Sequence, residues 1–106
     1  MNIGEFLCQK HHFADGLYAK EMCIPANHIA GSHKHKYSHL SILVSGSVSV
    51  TVENVTTDYI APACIEIKAG LEHQVLAKVD SVWFCIHATN ETDINKIDEV
   101  LITKGN

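Results

Sequence analysis

From Ser47 to Glu53 the chain alternates strictly, with Val48, Val50 and Val52 on one side and Ser47, Ser49, Thr51 and Glu53 on the other. A period of two is that of a strand with one face in a core and the other in water. The rest of the sequence leaves little room for anything but more strands. Apolar stretches at Leu17–Ile24, His39–Val44, Thr56–Ala61, Cys64–Ala69, Gln74–Val79 and Val82–Ala88 are separated by Asp15-Gly16, Pro25-Ala26-Asn27, Pro62, Gly70 and Asp80-Ser81. Those separators are the residue types that turn or interrupt a chain. So many short strands at tight spacing predict an all-β antiparallel sandwich or barrel. Ser45-Gly46-Ser47 is expected to turn a hairpin between its two flanking strands. In the tail, Ile94, Ile97, Val100 and Leu101 recur at helical spacing behind Asp93, a capping residue. A short C-terminal helix is expected there, with a strand over Val100–Thr103 as the alternative.

With 106 residues, 46% of them hydrophobic and 19% charged, the chain has the length and composition of one globular domain, expected to span 1–106. The 12 acids outnumber 8 bases, and every base is a lysine. Without arginine the chain lacks the bidentate fork that grips phosphate and carboxylate, so nucleic acid is not an expected partner. No apolar run reaches the ~18 residues of a membrane helix. The opening Met1-Asn2-Ile3-Gly4-Glu5 is not built like a signal peptide, so a soluble, cytoplasmic protein with no membrane partner is expected. Cys8, Cys23, Cys64 and Cys85 are then expected as free thiols.

Eight histidines are the abnormal feature, and three of them (His33, His35 and His39) fall within seven residues. On a strand His33 and His35 share a face about 7 Å apart, a span from which two imidazoles can converge on one ion. A straight strand would carry His39 ~13 Å from His35. One shared site therefore requires the chain to bend at Lys36-Tyr37-Ser38, with His73 joining from a strand entered at Gly70. Two readings of the spacing are open: a metal site at the mouth of a barrel, or an exposed polar loop in which Lys34 and Lys36 interleave with the histidines.

These residues resemble the cupin motifs. His33-x-His35 is followed after three residues by His39, in the place of the family's glutamate, and after six more by Gly46; His73 follows Gly70 by two residues. Asn27 and Pro62 stand where the two motifs open with glycine, Lys68 where proline is usual, and Ala77 where asparagine is usual. The spacing is similar to that of small four-histidine cupins that hold manganese. The resemblance implies a cupin-type double-stranded β-helix, a jelly-roll barrel, with its site core over about 27–88. It also implies one divalent ion on His33, His35, His39 and His73, with manganese or iron favoured and nickel or zinc as alternatives.

Ser41 and Leu43 share a strand face with His39 and are expected to line the pocket, and Tyr37 sits in the bend, either facing a substrate or packing at the rim. On the last strand the uniformly apolar face, including Phe84 and Ile86, is expected inward; the opposite phase would bring in Cys85 and His87. A homodimer is expected, with the face carrying Leu40, Ile42 and Val44 either serving as its interface or packing on the second sheet. The leading functional expectation is a dioxygenase-like oxidoreductase acting on a small oxygen-rich molecule. The alternatives are a metal-dependent isomerase or lyase without oxygen, and a non-catalytic module that binds a small molecule or a metal.

Overall fold

The computed structural model describes residues 8–33 and 36–97, with 31–33 as backbone. These residues form β1 (Cys8–Ala14), β2 (Leu17–Ile24), β3 (Ile29–His33), β4 (His39–Ser45), β5 (Ser47–Val52), β6 (Val55–Ile60), β7 (Ala63–Ile67), β8 (His73–Ala77) and β9 (Ser81–Ala88). All pairings are antiparallel, in a five-stranded sheet of order β1-β2-β9-β4-β7 and a four-stranded sheet of order β3-β8-β5-β6.

Alternation decides which side chains meet between the sheets. Val48 and Val50 of β5, Met22 and Ile24 of β2, Leu43 of β4, Ile65 and Ile67 of β7, Val75 and Ala77 of β8, and Trp83 of β9 form one buried cluster. A smaller cluster joins Tyr18 to Ile97, with Phe13 against it. The outward face of β4 is open to solvent, with Leu40 49% and Val44 50% exposed.

Turn chemistry explains two true hairpins. Asp15-Gly16 links β1 to β2, with Gly16 at φ 73°, and Glu53-Asn54 links β5 to β6, at φ 46° and 71°. With both residues left-handed, the Glu53-Asn54 turn matches the twist of the strands it joins.

The expected hairpin at Ser45-Gly46-Ser47 does not form. β4 pairs with β7 and β9 while β5 pairs with β6 and β8, so the chain changes sheets at this point. Gly46 makes the crossing at φ 94°, where an added Cβ would collide with the Ser81 hydroxyl and come within 2.7 Å of the Asp80 carbonyl oxygen. A glycine turn signal specifies a reversal of the chain without specifying its partner strand, and here the partners are remote in sequence.

After β9, Asp93 Oδ1 accepts the Asn95 N–H at 2.8 Å. The Asp93 carbonyl accepts those of Lys96 and Ile97 at 2.9 and 3.0 Å, which makes one capped turn. The rest of the expected helix, with Val100 and Leu101, lies outside the described residues. No helix among the described residues is long and apolar enough to cross a membrane.

Candidate metal centre

Three inward-pointing histidines approach one another at one end of the barrel. His39 opens β4 and is 5% exposed, His73 opens β8 at 7%, and His87 lies near the end of β9 at 5%. The chain reaches His39 through a bend at Lys36-Tyr37, as a shared site requires. Ring centroids of His39 and His73 are 6.3 Å apart. Two imidazoles bound to one ion through ~2.1 Å bonds have centroids up to about 6.5 Å apart, so this pair is within the reach of a shared metal.

His33 is the backbone partner of His73 in the β3–β8 ladder, which brings the first cluster histidine beside the fourth. His35 lies outside the described residues. His39 and His73 thus lie 6.3 Å apart by ring centroid, with the His33 backbone beside His73. Among the described residues no three His, Cys, Asp or Glu side chains are grouped closely enough to hold an ion.

His87 is the residue that the expected strand phase misplaced. Ser81, Trp83, Cys85 and His87 are the buried face of β9, and Val82, Phe84 and Ile86 are the half-buried outward face. Phe84 and Ile86 thus point away from the barrel interior, and Cys85 and His87 point into it. Phe84 instead stacks on His12 of the edge strand, with centroids 6.1 Å apart. The physical reason is that this end of the barrel is polar inside. An interior that already buries His39, Ser41 and His73 accepts another imidazole, whereas apolar-inward phasing describes only the rest of the core. Trp83 and the run of Ser and His on the neighbouring β4 were the available signals.

The His87 ring lies against His39, with centroids 4.1 Å apart and the planes tilted by 33°, and stacks on Tyr18 at 6.0 Å. The Tyr18 hydroxyl lies 2.7 Å from His11 Nδ1. Ser41, fully buried, has its hydroxyl 3.3 Å from His39 Nε2 and 3.7 Å from the Cys85 sulfur. Leu43 is fully buried two residues further along the same face, so Ser41 and Leu43 both point inward. Tyr37 is 60% exposed and stands at the rim. His12 pairs with Glu21 at 2.9 Å on the surface, and His28 Nδ1 lies 3.0 Å from the Ala26 carbonyl oxygen.

Burial pushes the His39 pKa down to about 3, with the neighbouring charges of His87 and His73 acting in the same direction. Burial also raises the Cys85 thiol, with hydrogen bonds to Ser41 and Trp83 opposing it. A neutral imidazole is the form that ligates a metal. Neutral nitrogen donors on the inward face of a barrel are a fitting set for a divalent ion.

The folded, metal-free chain keeps His39 neutral down to about pH 3, while the unfolded chain protonates it near 6.5. The unfolded state then binds more protons, so this contribution to stability is complete above pH 6.5 and is lost as pH falls toward 3. At pH 5 the expected loss relative to pH 8 is about 1–2 kcal/mol, read from urea midpoints in the presence of chelator. His39→Gln should flatten that part of the profile; an unchanged slope in the variant would contradict the assignment.

No protein-family model matches the sequence, and no curated protein matches it. Solved structures do match. A cupin superfamily protein from Desulfitobacterium hafniense superposes with a TM-score of 0.72 at 10% identity, covering 79% of this chain and 78% of that one. KdgF from a Halomonas species gives 0.71 at 16% identity, over 82% and 81% of the two chains. Salicylate 1,2-dioxygenase from Pseudoaminobacter salicylatoxidans, in adducts with gentisate, gives 0.77 at 11% identity, over 96% of this chain and 30% of the enzyme. The fold is the cupin double-stranded β-helix. At these identities the likeness is one of fold, and this chain corresponds to about a third of the dioxygenase.

Proposed function

We propose that the protein is a small metal-binding cupin in which His33, His35, His39 and His73 hold one divalent ion, manganese or iron. In this proposal it is a dioxygenase-like oxidoreductase acting on a small oxygen-rich molecule. The observation that carries the reading is the approach of His39 and His73 from opposite sheets at the inward mouth, with His33 as the ladder partner of His73. The fold likeness to a dioxygenase domain supports the choice of reaction class.

A bound divalent ion would supply Lewis acidity and a place for oxygen donors to bind, undiminished by any carboxylate ligand. The protein's own side chains do the rest. Ser41 sets the orientation of His39 through its hydroxyl, 3.3 Å from Nε2. The His87 and Tyr18 rings wall the mouth on the β2–β9 side. Leu43, Ile67 and Trp83, each 2% exposed or less, close the floor and keep water out beneath the imidazoles.

The test is oxygen uptake by protein loaded with manganese(II) or iron(II), offered catechols, hydroxybenzoates, diketones and hydroxy acids. Uptake with at least one class is expected, and the His73→Ala variant should lose it. Metal-loaded protein that binds these compounds without consuming oxygen would overturn the oxidoreductase reading in favour of an isomerase, a lyase or a binding module.

A further inference from the structure

Cys8 and Cys23 are direct register partners in the β1–β2 hairpin, at the end remote from its turn. Cys8 is exposed and Cys23 is half-buried, and both thiols are free. Directly opposed residues of an antiparallel pair have Cα atoms about 4.5–5.5 Å apart, inside the roughly 4.4–6.8 Å that a disulfide spans. Among the described residues β1 is the edge strand of its sheet and pairs with β2 alone, which leaves it room to shift by the fraction of an ångström that bond formation needs. A hydrogen bond to Cys8 is the first cause raising the Cys23 thiol pKa, ahead of burial, and Lys10 on the same face acts in the opposite sense.

From this juxtaposition we infer that Cys8 and Cys23 form a reversible disulfide that fastens the edge strand β1 to β2. The remaining cysteines do not compete within the chain. Cys64 is on β7 at the far edge of the same sheet, and Cys85 points into the barrel. The oxidant is a small disulfide of the glutathione type. One protein thiolate attacks it, forming a mixed disulfide and releasing one small thiol. The second protein thiolate then displaces the other small thiol, so two protein thiols lose two protons and two electrons while one disulfide becomes two thiols. Bonds closed across strands with some distortion are the readily reduced kind, which makes this one reversible.

The consequence reaches the barrel mouth. β1 carries His11 to the Tyr18 hydroxyl at 2.7 Å and Phe13 to the Tyr18 ring at 5.0 Å, and Tyr18 stacks on His87. A closed disulfide would fix β1 over that stack, where in the reduced pair the strand is held by its ladder and these contacts alone.

The experiment titrates the purified, metal-free full chain with oxidised against reduced glutathione, followed by thiol counting, intact mass and peptide mapping. The expected result is a fall from four titratable thiols to two, with a Cys8–Cys23 linked peptide and at least tenfold slower amide exchange in β1. Cys8→Ser and Cys23→Ser should each stop at a glutathione adduct. Four thiols persisting in the wild type, a stable adduct on it, or pairing through Cys64 or between chains would each overturn the proposal. None of these outcomes depends on metal binding.

Discussion

Replacing Gly46 with valine should cost roughly 3–5 kcal/mol, a large part of the 5–15 kcal/mol that holds a domain of this size together. Two effects add. At φ 94° the backbone is in the left-handed region that a β-branched residue avoids. The new Cβ would also meet the Ser81 hydroxyl, with the Asp80 carbonyl oxygen at 2.7 Å and Ser81 Cα at 2.8 Å, and two of these three atoms are backbone. Neither side has room to yield. The Gly46 carbonyl accepts the Ala61 N–H at 3.0 Å, and the Ser81 hydroxyl is bonded to the Val79 carbonyl at 2.8 Å. Gly70 is the internal control, because it shares a positive φ of 79° but would place its Cβ in open space. Gly70→Ala should therefore cost only the conformational part, about 1–2 kcal/mol. Equal urea midpoints for Gly46→Ala and Gly70→Ala would show that the crossing between sheets is not tightly packed.

Trp83→Ala is expected to lose about 3–5 kcal/mol, and Phe84→Ala no more than about 1 kcal/mol. The two residues are neighbours of similar character on one strand, so the contrast reports the phase of β9 and little else. Trp83 is 1% exposed within the main core, and its removal leaves a cavity that the two sheets cannot close. Phe84 lies on the outward face against His12, where water takes up the space. The reverse ranking in denaturant unfolding would return Phe84 and Ile86 to the interior and remove His87 from the site.

That phase marks the boundary of what the chain declares in its sequence. β2 is legible at its observed limits, Leu17–Ile24, because turn residues bracket it and its buried side chains alternate. β5 is legible for the same reason. β1 is not, since an edge strand touches one neighbour and Cys8–Ala14 is polar on both faces apart from Phe13. Gly46 announces a turn, but which sheet receives the next strand depends on contacts made far along the chain. His39 and His73 can be read from spacing, as can the bend that unites them. His87 cannot, because this end of the barrel buries polar groups where a core would put apolar ones, and periodicity carries no sign for inside and outside.

Metal analysis by mass spectrometry tests the central claim most directly. The untagged full chain, purified without chelator and dialysed against manganese(II) or iron(II), is compared with folded His39→Ala and His73→Ala variants. The account predicts close to one ion per chain in the parent and at least tenfold weaker binding in each variant. A parent that binds no divalent ion, or variants that bind it as tightly as the parent, would contradict the histidine metal centre.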